Sequence, residues 1–338
     1  MDVEVDCEKD KFADNVTTML RQEESNSYVC VDYLSITAWH NNMYQLMGRR
    51  AKSPHAAPEA SRIDEYCREQ ICEWSYRVVD YFRIDREVVS VSLSYLDRFL
   101  GTCSCDRSMF KLAATTTLYM AVKVFHPQKL EDLGVLSDLS RGEFDMTDVS
   151  EMEQHILRAL SWRLHPPTAV AMGSLLLDYI LADRLLAVSD DDINEIRDTA
   201  SFFGELAVCD YFFITFRPST VALASVLNSL EGVLPFENEA TLHLMEDIGA
   251  INFPINRQEL SVARNRLWEL YERSEECALH MHTVVKEEYA VVYGGDHTKQ
   301  CASMQTLSTA SPVSVNLPYK TTDYFPPQGI KTLQNGSW

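Results

Sequence analysis

The chain has no long uninterrupted apolar run, a shortage of positive charge, and no complete set of catalytic or metal-ligating residues. Its most apolar segment, residues 168–188, is broken by Asp178, Asp183 and Arg184, so it falls short of the ~20 apolar residues a helix needs to span a bilayer. The first residues, Met1-Asp2-Val3-Glu4, lack the charged-then-apolar layout of a secretory leader, and a place in the nucleus and cytoplasm is expected. Thirty Lys and Arg stand against 50 Asp and Glu, a net charge of −20. That balance disfavours wrapping a phosphate backbone, because nucleic-acid binders draw on clustered cations. The longest basic cluster, Arg49-Arg50-Ala51-Lys52, reads as a loop or a nuclear-import signal. The nine cysteines are odd in number and show no paired C-x-x-C spacing, as expected of reduced thiols. Cys103-Ser104-Cys105 is incomplete as a metal site and reads as two thiols in a surface turn, so neither metal nor other cofactor is expected. Nucleophile–base arrangements, a Gly-rich phosphate loop and H-x-x-x-H spacing are also missing, and His155 beside Ile156 reads as a partly buried structural histidine. An enzyme is not expected.

What remains is a chain able to build a core. At 338 residues and 46% hydrophobic it has room for about two domains. Helical spacing recurs from about residue 10 to residue 277 with almost no strand alternation, and the fold is read as all-α. An N-terminal portion, residues 1–58, is expected to give one or two helices (through residues 19–24 and 28–47) and a connecting loop at 48–58. Two five-helix repeats follow, at 59–164 and 165–285. In the first, helices are expected near 59–83, 86–101, 107–125, 129–137 and 147–161, with Asp85, Asp106 or Ser108, and Thr147 as candidate caps. In the second they are expected near 167–184, 190–210, 218–232, 239–250 and 257–278. The third helix of each repeat is rich in small side chains, Leu112-Ala113-Ala114-Thr115-Thr116-Thr117 and Pro218-Ser219-Thr220-Val221-Ala222-Leu223-Ala224-Ser225, the composition of a helix surrounded by neighbours. This correspondence points to an internal duplication. Beyond residue 286 periodicity fades, and residues 286–338 are expected to be disordered. Ser53-Pro54 and Ser311-Pro312 match the proline-directed phosphorylation pattern, a dipeptide that also recurs by chance.

Five residues, Arg68, Asp97, Leu112, Lys123 and Glu153, fall one after another on the helices of the first repeat. Four are charged, and a charge on the apolar side of a helix is costly unless paired. Asp97 shares a face with Leu93 and Leu100, and Glu153 precedes Ile156, Leu157 and Leu160 at helical spacing. Arg68 and Asp97 are expected to pair across the first two helices. Taken singly, Lys123 complements a helix C-terminus and Glu153 bonds a nearby loop.

Taken together, the set resembles the cyclin box. The intervals of 29, 15, 11 and 30 positions between the five residues follow those of the family's arginine, aspartate, leucine, lysine and glutamate, with about one residue extra in the last. Tyr95-Leu96-Asp97-Arg98-Phe99-Leu100 is similar to the family's hydrophobic-DRFL segment, Trp74 to its first-helix tryptophan, and Met152-Glu153 to its M-E pair. The second half is similar through Pro167-Thr168, Glu205-Leu206, Asp210-Tyr211 and Arg217-Pro218-Ser219.

The resemblance implies a non-catalytic protein that binds a cyclin-dependent kinase beside its αC helix, so that an ion pair inside the kinase forms and the activation segment opens. Lys123 and Glu153 would bond kinase backbone, Leu157, Trp162 and Leu164 would add apolar contact, and Arg68, Asp97 and Leu112 would be scaffold. The chain departs from the family's pattern in Val124-Phe125-His126-Pro127 after the lysine, in Lys111 before Leu112, and in the first-helix motif Cys67-Arg68-Glu69-Gln70-Ile71. Cys67, Gln70, Ile71 and Trp74 are expected to form a shallow apolar patch with weakened docking of basic-x-leucine substrate peptides; plain core packing is the rival reading of Trp74. Met19-Leu20-Arg21-Gln22-Glu23-Glu24 resembles the M-L-x-x-E-E stretch of D-type cyclins and implies a G1-like role, although the Leu-x-Cys-x-Glu motif of that class is missing. The same double-repeat fold also serves in promoter-binding transcription initiation factors and transcription-associated cyclins, which are the alternative.

Overall fold

Local capping chemistry sets where most of the helices begin. Asp64 accepts from the Cys67 N–H at 2.8 Å and starts the first helix of the first repeat, Glu65–Phe82. Asp106 accepts from Met109 N–H and starts Arg107–Phe125. Asp145 and Asp148 exchange bonds at the start of Met146–Ala159, a reciprocal box that satisfies two otherwise orphaned N–H groups. In the second repeat Ser189 accepts from Asp192 N–H, and Asn256 from Gln258 and Glu259 N–H, as simple caps of Asp190–Cys209 and Arg257–Arg273. Asp85 is not the formal cap of the second helix but accepts from Glu87 N–H at 2.8 Å. Thr147, expected as a cap, lies inside its helix, because the aspartate two residues earlier takes the position.

A computed structural model of the chain describes residues 2–35, 63–130, 143–182, 189–234, 245–246, 248–249 and 253–274. Among them every regular element is helical. We number the α-helices in chain order: α1 Asp2–Glu24, α2 Glu65–Phe82, α3 Glu87–Leu100, α4 Arg107–Phe125, α5 Met146–Ala159, α6 Ala169–Ala182, α7 Asp190–Cys209, α8 Pro218–Val233 and α9 Arg257–Arg273. Short 3-10 turns follow α4 at Pro127–Lys129 and α7 at Tyr211–Thr215. The helix expected near 129–137 falls almost wholly outside the described residues, and the one near 239–250 is seen only in part. The loop 48–58, Ser53, Ser311 and the tail 286–338 also lie outside them.

Each repeat is built around its small-residue helix. In α4, Leu112 through Leu118 are buried, and Thr116 and Thr117 return their hydroxyls to backbone carbonyls of their own helix, which lets α3 and α5 pack closely on it. In α8, entered through Pro218, Val221 through Leu230 are buried and α6, α7 and α9 surround it. The N-terminal helix joins the second repeat: Val16 is fully buried against the α6 and α8 core, Phe12 stacks on Tyr179 with ring centroids 4.0 Å apart, and the Glu23 carboxylate accepts from Ser219 N–H and Oγ, both at 2.7 Å, at the N-terminus of α8.

Three further sequence expectations change. Residues 28–35, the described part of the helix expected through 28–47, are turn and irregular backbone, and residues 36–47 lie outside the described residues. Cys103 is not in a surface turn but fully buried, with its thiol pushed up to about 11 by burial. Cys67, Ile71 and Trp74 are 0%, 1% and 5% exposed and Gln70 8%, so these side chains form core rather than a surface patch. The amphipathic stripe of α2 turns inward onto α3 and α4, and Trp74 lies on that stripe.

Candidate functional site

Lys123 is the basic residue in the last turn of α4, and Glu153 stands in the middle of α5. Close packing of α4 on α5 brings the two together: Lys123 Nζ lies 2.9 Å from Glu153 Oε1 and 3.3 Å from Oε2. Lys123 is 47% exposed at its side chain and Glu153 17%. The ammonium also lies 5.8 Å from the centre of the Tyr119 ring. The pair thus forms a charged rim open to solvent. An ammonium carries three donors, so bonding to the Glu153 carboxylate leaves Lys123 with capacity for an outside acceptor.

The chain after α5 supplies the apolar side of this rim. Leu160 ends the helix, and Ser161 and Trp162 then adopt left-handed backbone, φ 51 and 62. Such conformations cost about 1–3 kcal/mol in non-glycine residues and persist where neighbours enforce them. Here Trp162 N–H bonds Leu157 C=O at 3.0 Å and Ser161 N–H bonds Arg158 C=O at 3.1 Å. Beyond the turn, Arg98 donates through both terminal nitrogens to Arg163 C=O at 3.1 Å, and Tyr95 O–H donates to Leu164 C=O. The result is a 68% exposed Trp162 on a pinned turn. Leu157 and Leu164 are half-buried against the first core, while Phe125, 39% exposed, packs near His165 with ring centroids 5.5 Å apart.

The scaffold residues lie deeper. Arg68 meets Asp97 through Nε at 2.9 Å and Nη2 at 2.8 Å, and Tyr33 O–H adds a third bond to the carboxylate at 3.1 Å. Both charged side chains are at most 5% exposed. Burial opposes the Arg68 charge, but Asp97 outweighs it and holds the guanidinium well above its ordinary pKa. Arg68 Nη1 also donates to Val208 C=O at 2.9 Å and Cys209 C=O at 3.2 Å. These belong to the last turn of α7, whose carbonyls have no partner within the helix. The pair therefore registers the first two helices, as expected, and also docks the second repeat on the first. Leu112 is fully buried.

Sequence reasoning missed three groups. Tyr95 and Arg98, which hold the turn that carries Trp162, were visible only as letters of the DRFL segment; their signal was an arginine and a tyrosine three apart on a helix buried nearly all round. Arg86 clasps Glu205 through Nε and Nη2 at 2.8 and 2.7 Å and Asp80 through Nη1 at 2.9 Å, a second tie between the repeats. Glu23 was quoted only as part of a motif, yet it caps α8. Among the described residues no group of His, Cys, Asp and Glu is arranged to hold a metal ion, and no helix is long and apolar enough to cross a membrane.

Comparison with known proteins agrees with the geometry. Residues 39–165 match the cyclin N-terminal domain and residues 177–307 the cyclin C-terminal domain. The chain is a cyclin-fold protein. Its relatives include the G2/mitotic-specific cyclin-A1 of Caenorhabditis elegans, 26% identical over 49% of this chain and 32% of that one. The G2/mitotic-specific cyclin-A of Drosophila melanogaster is 27% identical over 56% of this chain and 38% of that one. The G2/mitotic-specific cyclin-B2 of Oryzias javanicus is 28% identical over 48% and 40%. The chain thus spans about a third to two fifths of the length of these relatives. Among solved structures, a viral cyclin from herpesvirus saimiri superposes with a TM-score of 0.50 at 17% identity, covering 62% of this chain and 87% of that one; at that identity the likeness is one of fold.

Proposed function

We propose that this cyclin-fold chain is the regulatory subunit of a cyclin-dependent serine/threonine kinase, gripped through Lys123, Glu153, Leu157, Trp162 and Leu164. The observation that supports this best is a solvent-open ion pair at 2.9 Å combined with a 68% exposed tryptophan on a pinned, left-handed turn. An aromatic anchor accompanied by a few charge-assisted bonds suits a specific interface. Lys123 would donate to a backbone carbonyl of the kinase and Glu153 accept from a backbone N–H, each charge staying neutralised by the other until the partner arrives. Docking at this rim would hold the kinase αC helix and activation segment in their active arrangement. No step of phosphoryl transfer falls to this chain.

The finer reading is a G1-like role in cell-cycle progression, in nucleus and cytoplasm. It rests on the M-L-x-x-E-E-like stretch at residues 19–24, whereas the relatives named above are mitotic cyclins. With Cys67, Gln70, Ile71 and Trp74 in the core, docking of substrate peptides at α2 has only the family resemblance in its favour. Affinity capture from cycling cells with the full chain, followed by a kinase assay of the bound material, tests the proposal. Lys123→Ala and Trp162→Ala should each reduce the captured kinase activity. Undiminished capture by both folded variants would refute the site, and duplex-DNA binding in a gel shift at physiological salt would favour the transcription-factor alternative.

A further inference from the structure

The seam between the repeats carries a pair of thiols that the proposed function does not use. Cys72 lies on α2 in the first repeat and is fully buried, while Cys209 ends α7 in the second repeat and is half-buried. Their sulfurs stand 3.1 Å apart across 137 positions of sequence, closer than two unbonded sulfurs ordinarily approach. The backbone on both sides is fixed: Arg68, one helical turn before Cys72, bonds the carbonyls of Val208 and Cys209, and Arg86 ties Glu205, one turn before Cys209, to Asp80. Two cysteines held this near by an independent framework can bond with little backbone movement.

We propose that Cys72 and Cys209 are a redox-modification site, at which hydrogen peroxide converts the two thiols into a disulfide that staples the two repeats. The sulfur of Cys209, the less buried residue of the two, attacks a peroxide oxygen; the O–O bond breaks, a Cys209 sulfenic acid forms and one water leaves. The Cys72 sulfur then attacks the Cys209 sulfur, the S–S bond forms, the S–O bond breaks and a second water leaves. In total the two thiols give up two electrons and two protons, and the peroxide is reduced to two waters. The Cys72 contact and burial hold the Cys209 thiol above its ordinary pKa, so the first step is slow at neutral pH and speeds up as pH rises. The site differs from Cys103 and Cys105, neighbours in sequence that share the first repeat and close no loop between the repeats.

The test uses the full chain treated with hydrogen peroxide, quenched with an alkylating agent and mapped by peptide mass spectrometry without reduction. A peptide linking Cys72 to Cys209 is expected, reversed by thiol reductant and absent from C72S and from C209S. Because the staple closes a long loop, the thermal unfolding midpoint of the oxidised wild-type chain should exceed that of the reduced chain by at least about 5 °C, and neither serine variant should show this gain. Recovery of Cys72 and Cys209 as separate alkylated or over-oxidised peptides, or of cross-links between other cysteines only, would overturn the site. A Cys72–Cys209 link with an unchanged or lowered midpoint would overturn the staple.

Discussion

Replacing Arg68 by alanine removes a cation that serves three acceptors at once. Asp97 would keep only the Tyr33 hydroxyl at 3.1 Å, while its side chain, about 5% exposed, stays out of reach of water. The carbonyls of Val208 and Cys209 would lose the donor that closes the end of α7. Stripping one partner from a buried ion pair costs about 3–5 kcal/mol, mainly through the charge left behind, and we expect Arg68→Ala to fall in that range. The double variant Arg68→Met with Asp97→Leu should recover most of the loss, because the stranded carboxylate goes with the arginine, although the α7 carbonyls remain unserved. Arg68→Lys should lie between, since an ammonium keeps the charge but not the planar fork. Urea unfolding followed by far-UV circular dichroism measures all three. A cost below about 1 kcal/mol for Arg68→Ala, or a double variant less stable than the single, would refute the view that this pair is held by mutual neutralisation.

Lys123→Ala should leave stability within about 1 kcal/mol, as expected for an exposed ion pair, yet weaken kinase binding by about 2–5 kcal/mol, roughly 30-fold or more, in calorimetric titration against the captured kinase. Glu69, on α2, is pushed up to about 7 by burial first and then by Asp210, Glu65 and Glu73. The folded chain therefore holds this proton to higher pH than the unfolded chain, and its contribution to stability is lost as pH rises from about 4.5 to about 7. Glu69→Gln should be more stable than wild type by about 1–2 kcal/mol at pH 8, allowing for solvent near a half-buried side chain, and this advantage should vanish near pH 4.5 in the same unfolding assay. Asp145→Ala should cost about 1 kcal/mol through loss of the box at the start of α5, whereas Thr147→Ala should stay within about 0.5 kcal/mol; thermal melts of the two variants separate these outcomes.

What the sequence shows best is what repeats at helical spacing. The buried stripes and the small-residue centres of α4 and α8 were legible because their periodicity is the packing itself. The Arg68–Asp97 pair was legible for a related reason: a charge on an apolar stripe demands a partner, and the two stripes adjoin. Less visible was anything set by direction rather than spacing. Trp74 sits on the α2 stripe, and spacing alone did not say whether the rim of that stripe faces solvent or core; the structure turns it inward. Asp145 and Thr147 are both good cap residues two positions apart, and only backbone angles separate them. Residues 28–35 carry apolar side chains yet no helix, because Tyr33 is drawn to Asp97 and the Leu34 N–H to Tyr211 O–H at 3.1 Å, contacts from far along the chain.

The geometry also links scaffold to surface through consecutive letters of one segment. In α3, Asp97 points toward α2 and the end of α7, while the next residue, Arg98, and Tyr95 reach the carbonyls just beyond Trp162. Arg98 is 6% exposed, and burial lowers its pKa, so a guanidinium is held in the core to serve a backbone oxygen of the connection between the repeats. The Tyr28 ring lies 4.9 Å from its carbon, which brings the segment after α1 into the same arrangement. A buried arginine spent on one carbonyl is a poor source of stability compared with an apolar side chain of similar volume. It makes sense where the carbonyl must be placed, and the residue before that carbonyl is Trp162, the most exposed large apolar side chain among the described residues. The DRFL-like segment is then one device with two outputs: it fixes how the repeats meet, and it sets the direction in which Trp162 faces solvent, where the proposed partner would meet it.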